Sequence, residues 1–359
     1  TILAMEPHVT EKVICGLLDT TSEFLVYPWE YCIALAENAK ENGISILTGC
    51  EIQAIQPLGG GFRVETNCGP LSAEFIVNAA GANADKVAQM AGVCDFGLKF
   101  MKGQTEILDK RLKGVLNCSI HSVPRAGGGG RIVPLPSGNL SVGFLEYFQT
   151  EDRLDLATRK EWSQHSLNRA HQLVPEISGK DIITSFAGMR VFNNRDPEDH
   201  IIEPAKRHPR FINAVIRLPS IAASPAIAKH VVSILGNQGL ELVEKADFKP
   251  ERKGIPVISA LPDEQRQDII AQDPRYGRIV CRCEEVSEGE IVEAIRRGAR
   301  TVAGVKYRTR AGMGRCQGGF CGARVVEILA RELDIPMTEV TQKGGLSRVL
   351  LHRSKELLN

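Results

Sequence analysis

FIVNAAGANADKVAQMA, residues 75–91, runs the strand-forming Phe75-Ile76-Val77-Asn78 through Ala79-Ala80-Gly81 into a helix-forming segment that starts at Ala84. A strand that turns directly into a helix is the junction at which α/β folds bring backbone up to a ligand. Upstream, the segments 44–47, 51–55 and 62–66 alternate or run apolar and read as strands, with Gly59-Gly60-Gly61 and Gly69-Pro70 as turns. Before them, residues 31–42 read as a helix closed by Gly43. Downstream, 132–136, 140–145 and 182–186 read as strands, while 156–173 and 225–235 read as helices. The glycine run 127–130 reads as a hairpin loop, and 249–277 carries prolines and charges with little periodicity, the signature of a linker. These elements together describe a mixed α and β domain over residues 1–248.

At 359 residues the chain is longer than one typical domain, and 43% hydrophobic with 24% charged residues is an ordinary globular composition. A net charge of +1 supplies no basic excess of the kind that nucleic acid or an anionic membrane attracts. No apolar run approaches the roughly 18 residues of a membrane span, and the N-terminus lacks the pattern of a secretory signal, so a cytoplasmic protein is expected. Six of the ten cysteines, Cys15, Cys32, Cys50, Cys68, Cys94 and Cys118, are scattered and are expected to be small buried thiols.

The remaining four are grouped. Cys281-Arg282-Cys283 ends an extended segment, and residues i and i+2 of a strand point to one side, so both sulfurs can face one metal centre. Ser287 and Glu290 form a capping-box pattern for a following helix that Gly298 can end. Cys316 and Cys321 flank Gln317-Gly318-Gly319-Phe320, a loop whose glycines give the backbone freedom. Between Arg278 and Arg324 there are ten Lys and Arg against five Glu, which favours an anionic centre such as a four-thiolate [2Fe-2S] cluster. Structural zinc also takes four thiolates, though usually at wider C-x2-C to C-x4-C spacings, and four unliganded thiols are the third option. Gly312-Met313-Gly314 with Gly318 imitates a dinucleotide fingerprint but is one residue out of register.

The run from Val280-Cys281-Arg282-Cys283-Glu284 to Arg315-Cys316-Gln317-Gly318-Gly319-Phe320-Cys321 resembles the bacterioferritin-associated-ferredoxin-like [2Fe-2S] domain, in the form fused to glycerol-3-phosphate-dehydrogenase-like flavoproteins. Residues 1–248 resemble the C-terminal two-thirds of D-amino-acid-oxidase-like FAD-dependent oxidoreductases. The resemblance rests on Glu6-Pro7, Tyr27-Pro28, Val77-Asn78-Ala79-Ala80-Gly81 with Ala84-Asp85, and Gly138-Asn139-Leu140 with Val142-Gly143, and continues through Gly188-Met189-Arg190 and Ser224-Pro225-Ala226-Ile227-Ala228. It implies a partial FAD-binding Rossmann-like α/β (α+β) domain with an antiparallel-sheet substrate domain, followed by a small helical [2Fe-2S] domain at 278–330 and a tail at 331–359. It also implies that Ala80, Gly81, Ile52, Ser220 and Ile221 meet FAD, with Ile52 at the adenine, and that Arg190 faces an anionic substrate. Cys281, Cys283, Cys316 and Cys321 are the implied iron ligands.

Two departures from the family are visible. The opening strand and G-x-G-x-x-G that receive the FAD pyrophosphate do not occur, so a truncated chain with weak FAD retention is expected. Two glycines near the flavin ring are replaced by Val215 and Ser220, whose side chains are expected to crowd the cofactor. No histidine is assigned as catalytic base, although His121 and His200 stand nearest by position. The reading that follows is a flavin-dependent dehydrogenase that oxidises a small hydroxylated anion and passes electrons through the cluster to an acceptor protein or other dehydrogenase subunits. A non-catalytic iron-sulfur scaffold with a degenerate flavin domain is the alternative, and a zinc-stapled binding module the third reading.

Overall fold

The computed structural model describes residues 2–21, 27–122, 130–144 and 148–357. The chain divides into two compact units, Thr1–Val26 with Leu47–Ala246 and Tyr27–Ile46 with Asp247–Asn359. Among the described residues no helix is long and apolar enough to cross a membrane.

The first unit opens with the short helix α1 (Ile2–Met5); the next helix, α2 (Pro28–Glu41), belongs to the second unit. Strands β1 (Ile52–Leu58), β2 (Gly61–Thr66) and β3 (Leu71–Ala73) form an antiparallel meander. β4 (Ile76–Asn78) then pairs in parallel with β12 (Phe211–Val215), whose other neighbour is the antiparallel β11 (Ile201–Pro204). Helix α3 (Ala84–Met90) follows β4, and its Ala84 and Ala88 pack with Ile55, Phe62, Phe211 and Val215. Because side chains alternate along a strand, Ile212 and Ala214 of β12 face the other way, where α5 (Ser224–Asn237) covers them with Val231 and Ile234.

The larger sheet has the order β10-β5-β8-β7-β6, with β9 also on β5. Its strands are β5 (Leu98–Leu108), β6 (Ile120–His121), β7 (Gly130–Pro134), β8 (Leu140–Phe144), β9 (Phe148–Thr150) and β10 (Ile182–Asn193), all antiparallel. Helix α4 (Lys160–Leu173) packs Leu167 and Ala170 against Ile132, Leu140 and Val142. Buried Lys102 and Gln104 of β5 point to this helix. Gln104 donates to Ser163 Oγ at 2.8 Å, and Lys102 pairs with Asp155 at 2.7 Å.

In the second unit β13 (Ile279–Cys281) pairs with β14 (Val286–Ser287), and α7 (Glu288–Arg296), α8 (Val302–Thr309) and α9 (Gly322–Leu333) enclose a core of Ile291, Ile295, Val305, Val325 and Leu329. Helix α2 joins this unit. Its Glu37 carboxylate faces Arg252 at 2.6 Å, Arg308 at 3.4 Å and Arg297 at 3.6 Å, and Arg310 lies 5.1 Å over the Tyr27 ring.

Several expectations change. The segment 44–47 forms no strand: no neighbouring strand pairs with it among the described residues, and Ile44, Ile46 and Leu47 are exposed. Residues 27–46, read from sequence as part of the first domain, group with the second unit. The span 249–277 contains α6 (Asp263–Gln272), whose polar residues on every face conceal the helical period. None of the six scattered cysteines is buried: Cys15, Cys32, Cys68 and Cys118 are exposed, and Cys50 and Cys94 are half-buried. They sit at strand ends, in loops or on a helix surface, and of the six Cys94 packs at the edge of the core around Ala84 and Phe96. Gly127–Gly129 and Leu145 lie outside the described residues.

The junction after β4 is pinned by one buried side chain. Asn78 Nδ2 donates to the Ala84 carbonyl at 2.8 Å and to Asn213 Oδ1 at 3.0 Å. Asn78→Ala removes both hydrogen bonds from the buried junction, and the urea transition of the first unit is expected to lose about 1–3 kcal/mol. An unchanged midpoint would show that the turn does not depend on this side chain.

Candidate functional site

The cysteine site is assembled by two helix starts. Ser287 caps α7 reciprocally, its backbone N donating to Glu290 Oε2 at 2.7 Å while Glu290 N donates to Ser287 Oγ at 3.3 Å, which fixes β14 and hence its partner β13. Helix α9 begins immediately after Cys321. Cys281 and Cys321 are buried, and Cys283 and Cys316 reach outward with their sulfurs 3.8 Å apart. All four line one cavity of about 570 Å³, together with Arg278, Arg282, Arg324 and Phe320.

The connecting loop is shaped for close approach. A Cβ on Gly314 would lie 2.2 Å from Cys283 Cβ, so only glycine fits there. Gln317 adopts a left-handed φ of 49° and is held by Nε2 donating to the Met313 and Gly314 carbonyls, each at 3.0 Å. Beside Cys283, Glu284 accepts from Arg310 Nε at 2.9 Å.

The sulfurs interact strongly. Burial, together with the charges of Cys281 and Cys316, pushes the Cys321 thiol up to about 12. The Cys316 amide donates to Cys283, yet burial and the sulfurs of Cys316 and Cys281 leave Cys283 raised. Cys316 goes the other way: the amide of Phe320, followed by those of Gly318 and Gly319, holds it below the usual thiol range against its burial. Hydrogen bonds link Cys283 with Cys316 and Cys321 with Cys281, and charge acts across these links as well, so the four thiols form one interacting group. Among the described residues no three ligating side chains gather on a single-ion position. Four thiols lining one cavity would hold a [2Fe-2S] centre, with iron taking the place of their protons.

In the first unit, β4 and β12 are parallel neighbours, so their C-terminal ends open on one edge. Ala80 and Gly81 follow β4 there, with Gly81 at φ 56°, and Ser220 and Ile221 lie between β12 and α5. Ile52 starts β1 and packs against the core that contains Ala84. Val215 is 3% exposed and fills that same core, so the expected crowding does not arise from its side chain.

Arg190 stands in β10 opposite Met101, on the face that alternates away from Lys102 and α4. Burial first, then the charges of Arg131 and Arg217, pull it down to about 10. His121 pairs with Arg131 across β6 and β7, and burial with that arginine's charge holds the imidazole below its usual value. His200 Nδ1 accepts from the Arg217 backbone N at 3.1 Å. Sequence reading named Arg190 and missed Arg131 and Arg217, although the latter falls between the two replaced glycine positions.

A flavin-type α/β unit and an iron-sulfur unit define a redox protein of two parts. The FAD dependent oxidoreductase family pattern matches residues 1–234, and that of the BFD-like [2Fe-2S] binding domain matches 279–331. The chain thus belongs to the FAD dependent oxidoreductase family and carries a BFD-like [2Fe-2S] domain. It is similar to a glycerol 3-phosphate dehydrogenase of Caloramator mitchellensis, 39% identical over 99% of this chain and 74% of that protein. It is also similar to a glycerol 3-phosphate oxidase of Mycoplasma pneumoniae (strain ATCC 29342 / M129 / Subtype 1), 28% identical over 65% of this chain and 62% of that protein. The structure of dithionite-reduced L-alpha-glycerophosphate oxidase from Mycoplasma pneumoniae with FAD bound matches with a TM-score of 0.55 and 27% identity, over 60% of this chain and 56% of that one.

Protein purified anaerobically is expected to hold about two irons per chain. Cys281→Ser and Gly314→Ala should each lose most of that iron while helicity is retained. Stoichiometric zinc, or full iron in Gly314→Ala, would contradict this assembly.

Proposed function

We propose that the chain provides the flavin and iron-sulfur parts of a glycerol-3-phosphate dehydrogenase, which oxidises the secondary hydroxyl of glycerol 3-phosphate and sends the electrons singly through the cluster to other dehydrogenase subunits or an acceptor protein. The observation that carries this reading is the half-buried Arg190, which burial and the charges of Arg131 and Arg217 pull down and which an anion beside it would relieve, although Arg217 already pairs with Glu198 at 2.8 Å. A phosphate dianion meets that demand better than a single carboxylate. The names of the relatives support the same substrate.

FAD, when bound, accepts the hydride. Ala80-Gly81, Ser220 and Ile221 offer it backbone at the open edge of the sheet, and Ile52 is proposed to meet its adenine. Arg190 grips the phosphate by paired N–H donors. His121, at the exposed end of β6 beside Arg131 and held below its usual value, takes the hydroxyl proton. Arg278, Arg282 and Arg324 beside the cysteines give an acidic electron acceptor a complementary surface.

Arg190→Ala is expected to raise KM for glycerol 3-phosphate by about 10- to 100-fold in an assay of the FAD-loaded protein with an artificial acceptor, with Arg190→Lys in between. An unchanged KM would remove the phosphate assignment. The pH profile gives a separate check. The neutral imidazole is the active form, so the rate falls as pH drops through a value below the ordinary 6.5 of histidine, and His121→Asn should abolish that limb.

A further inference from the structure

Just beyond the paired ends of β1 and β2 two thiols come within hydrogen-bonding reach of one another. Ile52 pairs with Thr66, and the Asn67 amide donates to the Glu51 carbonyl at 3.2 Å. Beyond that step the pairing ends and Cys68 lies in the turn Thr66–Gly69, where both cysteines meet Thr66 Oγ1, Cys50 through its Sγ and Cys68 through its backbone N at 3.1 Å.

The surroundings hold both residues in place. Asn67 Oδ1 accepts from Glu51 N at 2.7 Å and its Nδ2 donates to the Gly49 carbonyl at 3.0 Å, tying the two chain segments together around the cysteines. Cys50 Sγ hydrogen-bonds with Thr66 Oγ1 at 3.3 Å, and Cys68 Sγ lies 3.8 Å from the Gly49 carbonyl on the facing segment. Cys68 is exposed and Cys50 half-buried, so a small oxidant reaches them. Neither belongs to the iron ligand set, and no role proposed above uses either one.

We propose that Cys50 and Cys68 are a redox-active dithiol that a low-molecular-weight disulfide oxidises to an intramolecular bridge across the end of the β1–β2 pair. The thiolate of Cys50 attacks one sulfur of the oxidant RSSR; an S–S bond forms to Cys50 and RS⁻ leaves. The thiolate of Cys68 then displaces the second RS⁻ and closes the Cys50–Cys68 bond. Two protein thiols are oxidised, RSSR is reduced to two RSH, and the protons lost by the cysteines end on the two leaving thiolates. The order follows from the environment: hydrogen bonds first with Thr66 and then with Cys68 lower Cys50, while its hydrogen bond with Cys50 raises Cys68. Cys50 is thus the attacking thiol and Cys68 the resolving one. The bridge closes two residues before Ile52, where β1 begins.

The sequence makes the test direct, because trypsin cleaves between the two residues at Arg63 and isolates each on its own peptide, 41–63 and 64–86. The full chain is equilibrated anaerobically with glutathione disulfide, alkylated and digested. The expected product is peptide 41–63 joined to 64–86, lighter by two hydrogens than the sum of the free peptides. Before oxidation, Cys50 should alkylate faster than Cys68. In Cys68→Ser, Cys50 should instead retain glutathione. Complete alkylation of both residues after oxidation, glutathione persisting on Cys50 in the unaltered chain, or Cys50 joined to any other cysteine would each overturn the proposal.

Discussion

Four sulfurs in one cavity repel one another once ionised, and that repulsion is the constraint on which the second unit is organised. Burial and neighbouring sulfurs drive Cys321 and Cys283 toward the protonated form, while three amides of the 318–320 loop stabilise the thiolate of Cys316. Without a metal the fold avoids like charges in contact by favouring protons on Cys321 and Cys283. Iron removes the conflict by taking the place of the protons. The capping box of α7, the glycine contact at Cys283 and the hydrogen bonds to Gln317 all serve to hold the sulfurs where the metal needs them.

The first unit contains the opposite arrangement. Arg190, Arg131 and Arg217 are gathered where burial and like charge depress Arg190, and an anion relieves that cost. Both sites follow one rule: a fold places like charges together and a ligand of opposite charge completes them. In the proposed function the substrate phosphate completes one site and the iron cluster the other. Electrons taken from the substrate hydroxyl at the first end leave singly at the second.

Local features were legible in the sequence. The capping box at Ser287 and Glu290 and the turn from Asn78 into α3 each depend on a few adjacent residues, and each is present, whereas Cys283, expected on one strand with Cys281, stands in the turn after β13 ends at Cys281. Long-range features were not. Arg131 and Arg190 belong to strands β7 and β10, which occupy different positions of one sheet and are far apart in sequence, so no spacing rule connects them. Helix α2 joins the second unit through Glu37, whose three arginines come from residues more than two hundred positions away. Helix α6 was hidden because charged and polar residues occupy all its faces. The approach of Cys50 and Cys68 around Thr66 likewise comes from the fold beyond the β1–β2 ends, which the scatter of cysteines along the chain does not contain.

The central claim is that a binuclear iron cluster receives electrons from substrate oxidation within this chain. Anaerobic addition of glycerol 3-phosphate to the FAD-loaded, iron-replete protein, followed by freezing and electron paramagnetic resonance, tests it most directly. The account predicts the half-integer-spin signal of a reduced [2Fe-2S] centre, absent without substrate and absent in Arg190→Ala at the same substrate concentration. A flavin that bleaches while the cluster stays oxidised, or a protein whose four cysteines hold zinc, would contradict it.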